Sequence, residues 1–288
     1  MKKPTAKKTP APKHKRQRLT GLHQSIARPA AVLEALATAS SNGLRMTDVM
    51  RVTGLGKATV HRLLAGLASS GLVDQDSDSN RFFVGMRILS WAVSAGERFG
   101  LARLAESAMV RLADSTLDTI YLTVRSADEA LCLNRREGSH PIRTLTLKIG
   151  DRRPLGVSGG GLALLSFLPD REIDRILRDQ AEAETPLPFD HATLRKMISE
   201  TRQTGFAWYD VPVVHGTEVV TGMAAIAVPI RRPDSRPIAA LSVAAITARL
   251  QGQRRRTIVA ELQDEVRRIE ASLEPALESA HHDLVMQN

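Results

Sequence analysis

Hydrophobic and polar positions follow two different patterns along this chain, and the change between them divides it into two parts. From about residue 29 to residue 85, apolar residues recur every three to four positions, as on the buried stripe of a helix. Beyond residue 101, helical stretches alternate with short runs of Val, Ile, Leu and Ala that are typical of strands. The pattern predicts a small helical part and a larger α/β part, connected by a helix over residues 86–99.

Residues 47–84 hold the most specific pattern in the chain. Thr47 is placed to cap a short helix, Gly54 to end it and Gly56 to free the tight turn that follows. The next helix then carries a buried stripe at i, i+3, i+4 and i+7, made by Val60, Leu63, Leu64 and Leu67. Two strands, 72–75 and 81–84, flank a polar turn. This order predicts a helix-turn-helix followed by a wing, whose second helix enters the major groove of DNA; the alternative is an ordinary pair of packed helices.

The predicted DNA contacts lie at the start of that second helix and beside it. A preceding helix is predicted to begin with Pro29 at its first position and to run to about Ala39, with Arg28 just before it. The residues predicted to contact phosphates or base edges are Arg28, Thr47, Lys57, Ala58, Thr59, His61 and Arg62. Among these, Ala58, His61 and Arg62 are expected to touch bases, because they lie off the buried stripe near the helix start.

The second part is predicted to hold a central sheet with helices around it, an architecture that suits a sensor domain. Its predicted helices are 101–117, 158–168, 170–178, 190–203 and 254–277. Its predicted strands are 119–124, 130–135, 142–149, 222–230 and 237–246. The connecting helix over 86–99 has an apolar face and is expected to carry dimer contacts, although a plain linker that packs on its own protomer would show the same pattern.

Charge is concentrated at the amino terminus. The formal net charge is +9, from 40 basic and 31 acidic residues, while the first 18 residues hold eight basic side chains and no acidic one. This segment has no apolar periodicity and is expected to be disordered. It either attracts DNA phosphates without sequence preference or only keeps the chain soluble.

Several classes of protein are disfavoured. No run of about 18 apolar residues predicts a membrane span, and a single cysteine, Cys132, excludes an internal disulfide and favours the reducing cytoplasm. Gly159-Gly160-Gly161 has the spacing of neither a P-loop nor a dinucleotide fingerprint. No cofactor and no metal site is predicted, and His281-His282 is expected to be an exposed tail.

Four other groups have an ordinary explanation beside a functional one. Arg254-Arg255-Arg256 could contact DNA but is expected to be a solvated helix face. His215 with Asp210 or Glu218 could form an acid–base pair, although polar residues at a pocket mouth would look the same. Trp91 and Trp208 are expected to be packing residues rather than stacking platforms.

The order of motifs from about residue 22 to residue 278 resembles the IclR family of bacterial transcription regulators. The resemblance rests on Ser25-Ile26-Ala27-Arg28-Pro29-Ala30, Thr53–Leu64, Phe83-Val84-Gly85, Gly150–Leu155, Ser158–Gly161, Gly205-Phe206, Glu218 with Gly222, Ala227–Ile230 and Ala240–Val243. It implies an α+β fold with a winged helix-turn-helix at 22–85, a linker helix at 86–100 and a GAF-like α/β effector domain at 101–280, after a basic tail at 1–21.

The resemblance also implies a function. It predicts dimers or tetramers on a palindromic operator, controlled by a small organic effector, often an aromatic or short carboxylic acid. The effector residues that it implies are Ser158, Gly159, Gly160, Asp210, Ala225 and Ser242. Two departures concern this pocket: Leu162 stands where the family commonly has lysine, and residues 209–216 are extra. The alternative is a metabolic enzyme with an amino-terminal interaction module.

Overall fold

The chain divides into two compact units, residues 1–97 and 98–288. A computed structural model describes residues 21–39, 42–182, 187–211, 213–215, 218–232 and 236–286. The basic tail predicted at residues 1–21 therefore lies almost wholly outside the described residues.

The first unit packs three helices against a two-stranded wing and continues into a fourth helix. Its elements are α1 (Gly21–Ala37), α2 (Met46–Thr53), α3 (Lys57–Ser69), β1 (Val73–Asp76), β2 (Arg81–Val84) and α4 (Met86–Phe99). Strands β1 and β2 pair antiparallel. The buried core is aliphatic and is formed by Val32, Leu36, Val49, Leu55, Val60, Leu64, Leu67 and Val73. Gly54 ends α2 with a left-handed φ of 67°, as the sequence predicts.

Three details of the predicted helix starts are wrong. Pro29 lies inside α1, eight residues after its start, and Arg28 is therefore a helical residue rather than one that precedes the helix. Thr47 is the second residue of α2, whose N-cap is Arg45; the Asp48 carboxylate accepts a hydrogen bond from the Arg45 N–H at 3.3 Å. Gly56 has a φ of −67°, which any residue adopts, so the turn does not need a glycine there.

The second unit is built on a six-stranded antiparallel sheet. Its elements are α5 (Leu101–Thr116), β3 (Thr119–Ser126), β4 (Glu129–Arg136), β5 (Arg152–Pro154), α6 (Gly159–Ser166), α7 (Asp170–Ala181), α8 (His191–Thr204), β6 (Ala207–Tyr209), β7 (Val213–His215), β8 (Glu218–Val220), β9 (Met223–Arg231), β10 (Pro237–Ile246), a 3-10 turn (Thr247–Leu250) and α9 (Gly252–Met286). The sheet order is β5-β4-β3-β10-β9-β6, and β7 pairs with β8 separately.

The two faces of the sheet carry side chains of different size. Alternate residues of β10, among them Leu241 and Val243, pack in one core with α5 and α9. The residues between them, Ala240, Ser242 and Ala244, face the opposite side, where Ala240 packs in a second core with α6 and α8. Small residues on this side let α6 approach the sheet closely, which positions the cavity described below.

The strand predicted over residues 142–149 does not form. This segment, which we call the strap, has no regular secondary structure and pairs with no described strand, and Ile142, Leu145 and Ile149 are 53, 46 and 63% exposed. Side chains take the place of a strand partner: three strap carbonyls accept hydrogen bonds at 2.6 to 3.0 Å from Tyr121 Oη, Arg153 Nη2 and Arg135 Nη1. Alternating apolar residues here do not mark a sheet position.

Two further predictions fail, the first because a partner lies far away in the sequence and the second because the side chain is exposed. Arg254 is not a freely solvated residue, since its Nη2 donates to the buried Asp118 carboxylate at 2.9 Å. Trp91 is 54% exposed and has Arg87 over its ring at 5.9 Å, so it is not a core residue of the protomer. Cys132 is buried as predicted, and burial raises the pKa of its thiol to about 11. Among the described helices, none is both long and apolar enough to cross a membrane.

Candidate functional site

The outer face of α3 is a polar, solvent-facing surface. Val60, Leu64 and Leu67 turn inward, which leaves Lys57, Ala58, His61 and Arg62 exposed around the first turns of the helix. No described residue forms a hydrogen bond or ion pair with Lys57 or Arg62. The N-cap Gly56 supplies no side-chain cap, so the first N–H groups of α3 also face outward. Cationic side chains and N–H groups together suit a polyanion.

The other predicted DNA residues differ in how well they reach this face. Thr47 is exposed on α2, and Thr59 is half-buried on α3. Arg28 is half-buried within α1, where its Nη2 donates to Gln24 Oε1 at 2.7 Å. Arg28 is therefore held by its own helix instead of extending from a loop.

The wing adds a feature that the sequence reading did not use. The wing exposes three acidic residues, Asp74, Asp76 and Asp78, and carries one arginine, Arg81. Two backbone N–H groups, from Asp78 and Ser79, donate to the Asp76 carboxylate and keep its pKa below the ordinary value. The wing tip therefore stays negatively charged, which disfavours close approach to DNA phosphates. By contrast, α3 exposes two cationic side chains, Lys57 and Arg62.

A cavity of about 40 Å³ lies in the second unit, between the sheet and the start of α6. It is lined by Tyr121, Thr123, Thr144, Thr146, Leu147, Arg153, Val157, Ser158, Gly159, Gly160, Tyr209, Met223, Ala224, Ala225, Ser242 and Ala244. Of the six predicted effector residues, the structure brings five together here, Ser158, Gly159, Gly160, Ala225 and Ser242. Asp210 lies outside the lining, and its carboxylate accepts a hydrogen bond from Thr247 Oγ1 at 2.8 Å.

The glycines at the start of α6 allow the helix to lie directly on the sheet. A Cβ at Gly159 would be 2.8 Å from the Ala225 Cβ, and a Cβ at Gly160 would be 2.6 Å from Thr123 Oγ1. Both distances are too short for real side chains, so these two positions need glycine for packing as well as for access to the cavity. Ser158 caps the helix, its Oγ accepting the Gly161 N–H at 3.0 Å.

Six polar residues of the cavity were not predicted from the sequence: Tyr121, Thr123, Thr144, Thr146, Arg153 and Tyr209. Tyr209 and Thr144 are each 3% exposed, and neither side-chain oxygen has a hydrogen-bond partner among the described residues. Burial raises the pKa of the Tyr209 hydroxyl well above its ordinary value, and the positive charge of Arg153 offsets only part of that rise. The Tyr121 hydroxyl, whose pKa burial also raises, donates to the Thr144 carbonyl at 2.6 Å. These residues come together only in the tertiary structure, and no local motif predicts that they share a cavity.

The cavity combines one charged side chain with several hydroxyl groups. Of the described residues that line the cavity, Arg153 is the only charged one. No group of three or more metal-ligating side chains occurs in the part of the chain that the structure describes. A guanidinium, several hydroxyl groups and the amino end of a helix make a setting for a small anion.

Family profiles match both units. The profile "Bacterial transcriptional regulator IclR C-terminal" matches residues 93–271, and "IclR helix-turn-helix domain" matches residues 25–77. The chain is 31% identical over 226 residues to the probable transcriptional regulator SauR of Cupriavidus necator, covering 76% of this chain and 84% of that protein. It is 25% identical over 244 residues to the transcriptional repressor IclR of Escherichia coli, covering 82% and 84%.

Solved structures share the fold. A putative IclR regulator from Silicibacter superposes with a TM-score of 0.72 at 24% identity, covering 88% of this chain and 96% of that one. An IclR homologue from Microbacterium hydrocarbonoxydans, solved in complex with 4-hydroxybenzoate, superposes with a TM-score of 0.70 at 23% identity, covering 88% and 99%. These similarities show that the chain shares its fold with both solved structures.

Proposed function

Because the chain belongs to the IclR family of transcriptional regulators, we propose that α3 reads an operator and that a small organic acid in the cavity controls this binding. The outer face of α3 is the observation that carries the proposal. It is exposed and bears Lys57 and Arg62, which have no partner among the described residues. In this proposal the protein acts on chromosomal DNA in the cytoplasm, the compartment that a single cysteine favours.

In this proposal the exposed residues divide into two roles. Lys57, Thr59 and Thr47 contact phosphates and position the helix, and Ala58, His61 and Arg62 contact base edges. Arg28 contributes to DNA binding only after its side chain leaves Gln24, to which it donates at 2.7 Å. The acidic wing stays away from the backbone, so recognition depends on α3.

The test is a DNA-binding titration at fixed salt. The chain's own upstream DNA is compared with shuffled DNA of equal length, with and without a panel of organic acids. Selective binding that one acid weakens or strengthens supports the proposal. Equal binding to both DNAs refutes operator recognition, and turnover of a small substrate without selective DNA binding favours the alternative, a metabolic enzyme with an interaction module.

Ser242→Leu is expected to abolish the response to the acid while leaving operator affinity within twofold. Ser242 is 3% exposed in the middle of β10, and the larger side chain would project into a cavity of about 40 Å³. Overpacking should also cost about 1–3 kcal/mol of stability, which a thermal melt measures. Ser242→Ala, which keeps the space, is the matched control. An acid response that survives in Ser242→Leu removes this residue from the effector site.

We also propose that the protein works as a dimer, or a pair of dimers, on a palindromic operator. The linker helix α4 exposes Met86, Leu89 and Trp91 at 69, 55 and 54%. Exposing large apolar side chains to water is unfavourable, and a second subunit that covers them removes this free-energy cost. A dimer also presents two copies of α3 to successive major grooves.

Leu89→Glu is expected to raise the dimer dissociation constant at least tenfold. Fully burying a leucine contributes about 1.5–3 kcal/mol, and a buried carboxylate adds a further penalty. Sedimentation velocity over a range of protein concentrations measures the change. Ala192→Glu, which adds the same charge at an exposed position of α8, is the control. Equal dissociation constants for both variants and the parent chain would exclude Leu89 from the dimer contact.

A further inference from the structure

We propose that Arg87 and Trp91 form a clamp that fixes the recognition helix α3 to the linker helix α4, and that this clamp sets the half-site spacing that the protein accepts in an operator. This inference rests on the proposed dimer and its palindromic operator, and it adds two positioning residues that act through α3. Three features of the first unit support it: a close contact between the ends of the two helices, a cationic cap on α3, and an aromatic ring over that cap.

The chain returns from the wing directly onto the end of α3. The N–H of Gly85, the residue before α4, donates to the Leu72 carbonyl at 2.9 Å. A Cβ at Gly85 would lie 2.3 Å from the Gly71 carbonyl oxygen, which is too short for a real side chain. The start of α4 is therefore in backbone contact with the turn that ends α3, and this contact is the pivot about which one helix would rotate against the other.

A side chain of α4 caps the end of α3. Ser70 is the C-cap residue of α3, and its carbonyl accepts a hydrogen bond from Arg87 Nη1 at 2.9 Å. Carbonyl groups in the last turn of a helix lack donors within the helix and carry partial negative charge, so a cation stabilises them. Arg87 is a second attachment beside the pivot at Gly85, and two attachments restrict a rotation that one would permit.

Trp91 orients the Arg87 side chain. It follows Arg87 by four residues, which places the two side chains next to each other on α4. The guanidinium carbon of Arg87 lies 5.9 Å from the centre of the Trp91 ring, within the range of a cation–π contact. This contact gives a function to a large aromatic side chain that is 54% exposed.

A small rotation at the pivot has a large effect at the DNA. Helix α3 has 13 residues, with Lys57 at its start and the pivot at its end, and a helix of this length spans about 20 Å. A rotation of about 10° therefore moves Lys57 by about 3.4 Å, the spacing of successive nucleotides along one DNA strand. Because a dimer places its two α3 helices in successive major grooves, the clamp decides whether the accepted half-site spacing is fixed or variable.

Fluorescence anisotropy of the full chain with DNAs of different half-site spacing tests the clamp. The DNAs are the site that the chain selects from a randomised pool, one half of that site, and the site with one or two base pairs inserted between its halves. The parent chain is expected to bind the inserted sites at least tenfold more weakly than the selected site. Arg87→Ala is expected to reduce this difference to threefold or less, while its affinity for the half-site stays within twofold of the parent. The variant should fold, because the hydrogen bond that it removes is exposed to solvent.

Three further variants and one control define the role of each group. Arg87→Met removes the charge and the donor but keeps a long side chain, and it is expected to match Arg87→Ala. Arg87→Lys keeps the charge and a donor without the planar guanidinium, and it is expected to recover part of the spacing preference. Trp91→Leu keeps an apolar side chain without the ring, and it is expected to weaken the preference at least threefold. Arg171→Ala removes an arginine at an exposed position of α7 and should match the parent chain.

Two other roles for Arg87 give different results, and either would overturn the inference. If Arg87 contacts a phosphate, Arg87→Ala lowers the affinity for the half-site and makes its salt dependence shallower. If Arg87 only supports the fold or the dimer, sedimentation velocity shows a higher dimer dissociation constant while the spacing preference stays parental. Parental spacing preference in Trp91→Leu would exclude the ring from the clamp.

The same measurements separate failure of the clamp from failure of the proposed function. If the selected site has two related halves and Arg87→Ala and Arg87→Met keep the parental spacing preference, operator recognition by a dimer stands and the clamp is wrong. If the chain selects a site without two related halves, or selects no site, the palindromic operator is wrong and the clamp is overturned with it.

Discussion

Arg62→Ala is expected to weaken specific operator binding by roughly 5- to 150-fold at fixed salt. Arg62 is exposed on the outer face of α3 and has no described partner that would hold it away from DNA. An arginine that makes a bidentate contact with guanine contributes about 1–3 kcal/mol of discrimination, which corresponds to this range. Fluorescence anisotropy with labelled operator and shuffled DNA measures both the affinity and the specificity ratio.

Arg62→Lys separates base contact from phosphate contact. Lysine keeps the positive charge but lacks the planar fork of the guanidinium. If Arg62 reads a base, Arg62→Lys loses specificity almost as fully as Arg62→Ala. If Arg62 only contacts phosphate, the lysine variant keeps near-parental affinity, and the alanine variant weakens operator and shuffled DNA equally with a shallower salt dependence. Unchanged operator affinity in Arg62→Ala would exclude Arg62 from the interface altogether.

Asp118→Asn is expected to lower the free energy of unfolding of the second unit by about 3 kcal/mol. The Asp118 carboxylate is 1% exposed and accepts hydrogen bonds from Arg249 at 2.8 Å and Arg254 at 2.9 Å. Both arginines also donate to the Thr116 carbonyl. Removing the charge leaves two guanidinium groups facing a neutral amide, and the loss of charged hydrogen bonds in a buried pair has about this cost.

The melting temperature should fall by about 6–12 °C in Asp118→Asn, given the size of the unit. Asp114→Asn, an equivalent change at an exposed position of α5, should stay within about 0.5 kcal/mol of the parent chain. Equal stability of the two variants in denaturant titrations would show that the Asp118 cluster contributes little. Such a result would mean that solvent compensates the two partly exposed arginines.

The first unit could be read from the sequence because its signals are local. The stripe of Val60, Leu63, Leu64 and Leu67 depends only on the helical period. Three of its members are buried as the pattern predicts, and Leu63 is partly buried. Gly54 adopts the left-handed conformation that ends a helix. The misplaced start of α1 has the opposite cause: Pro29 is common at a first helical position, but α1 tolerates it internally and extends eight residues further toward the amino terminus.

The strap shows where a periodic pattern misleads. Apolar and polar residues alternate over 142–149 as they do in a strand. The carbonyls of Thr144, Thr146 and Leu147, however, accept hydrogen bonds from side chains of β3, β5 and β4 instead of from the backbone of a strand. A strand needs a partner with free backbone groups, and the sequence of one segment does not show whether a partner is present. The sequence likewise gives no sign that Arg254 would bond to Asp118, which lies 136 positions away.

The sequence by itself determined the two-part organisation and the helix-turn-helix with its exposed outer face, and its resemblance to a known family implied five positions that line the cavity. These depend on local periods, glycine conformations and motif order, which are written along the chain. Only the tertiary structure decided that Asp210 lies outside the cavity and that Tyr209, Thr144 and Arg153 lie within it. The physical reason is that a cavity's volume, charge and unsatisfied hydroxyl groups depend on the packing of segments that are distant in sequence. Such packing leaves no periodic pattern in the sequence from which it could be predicted.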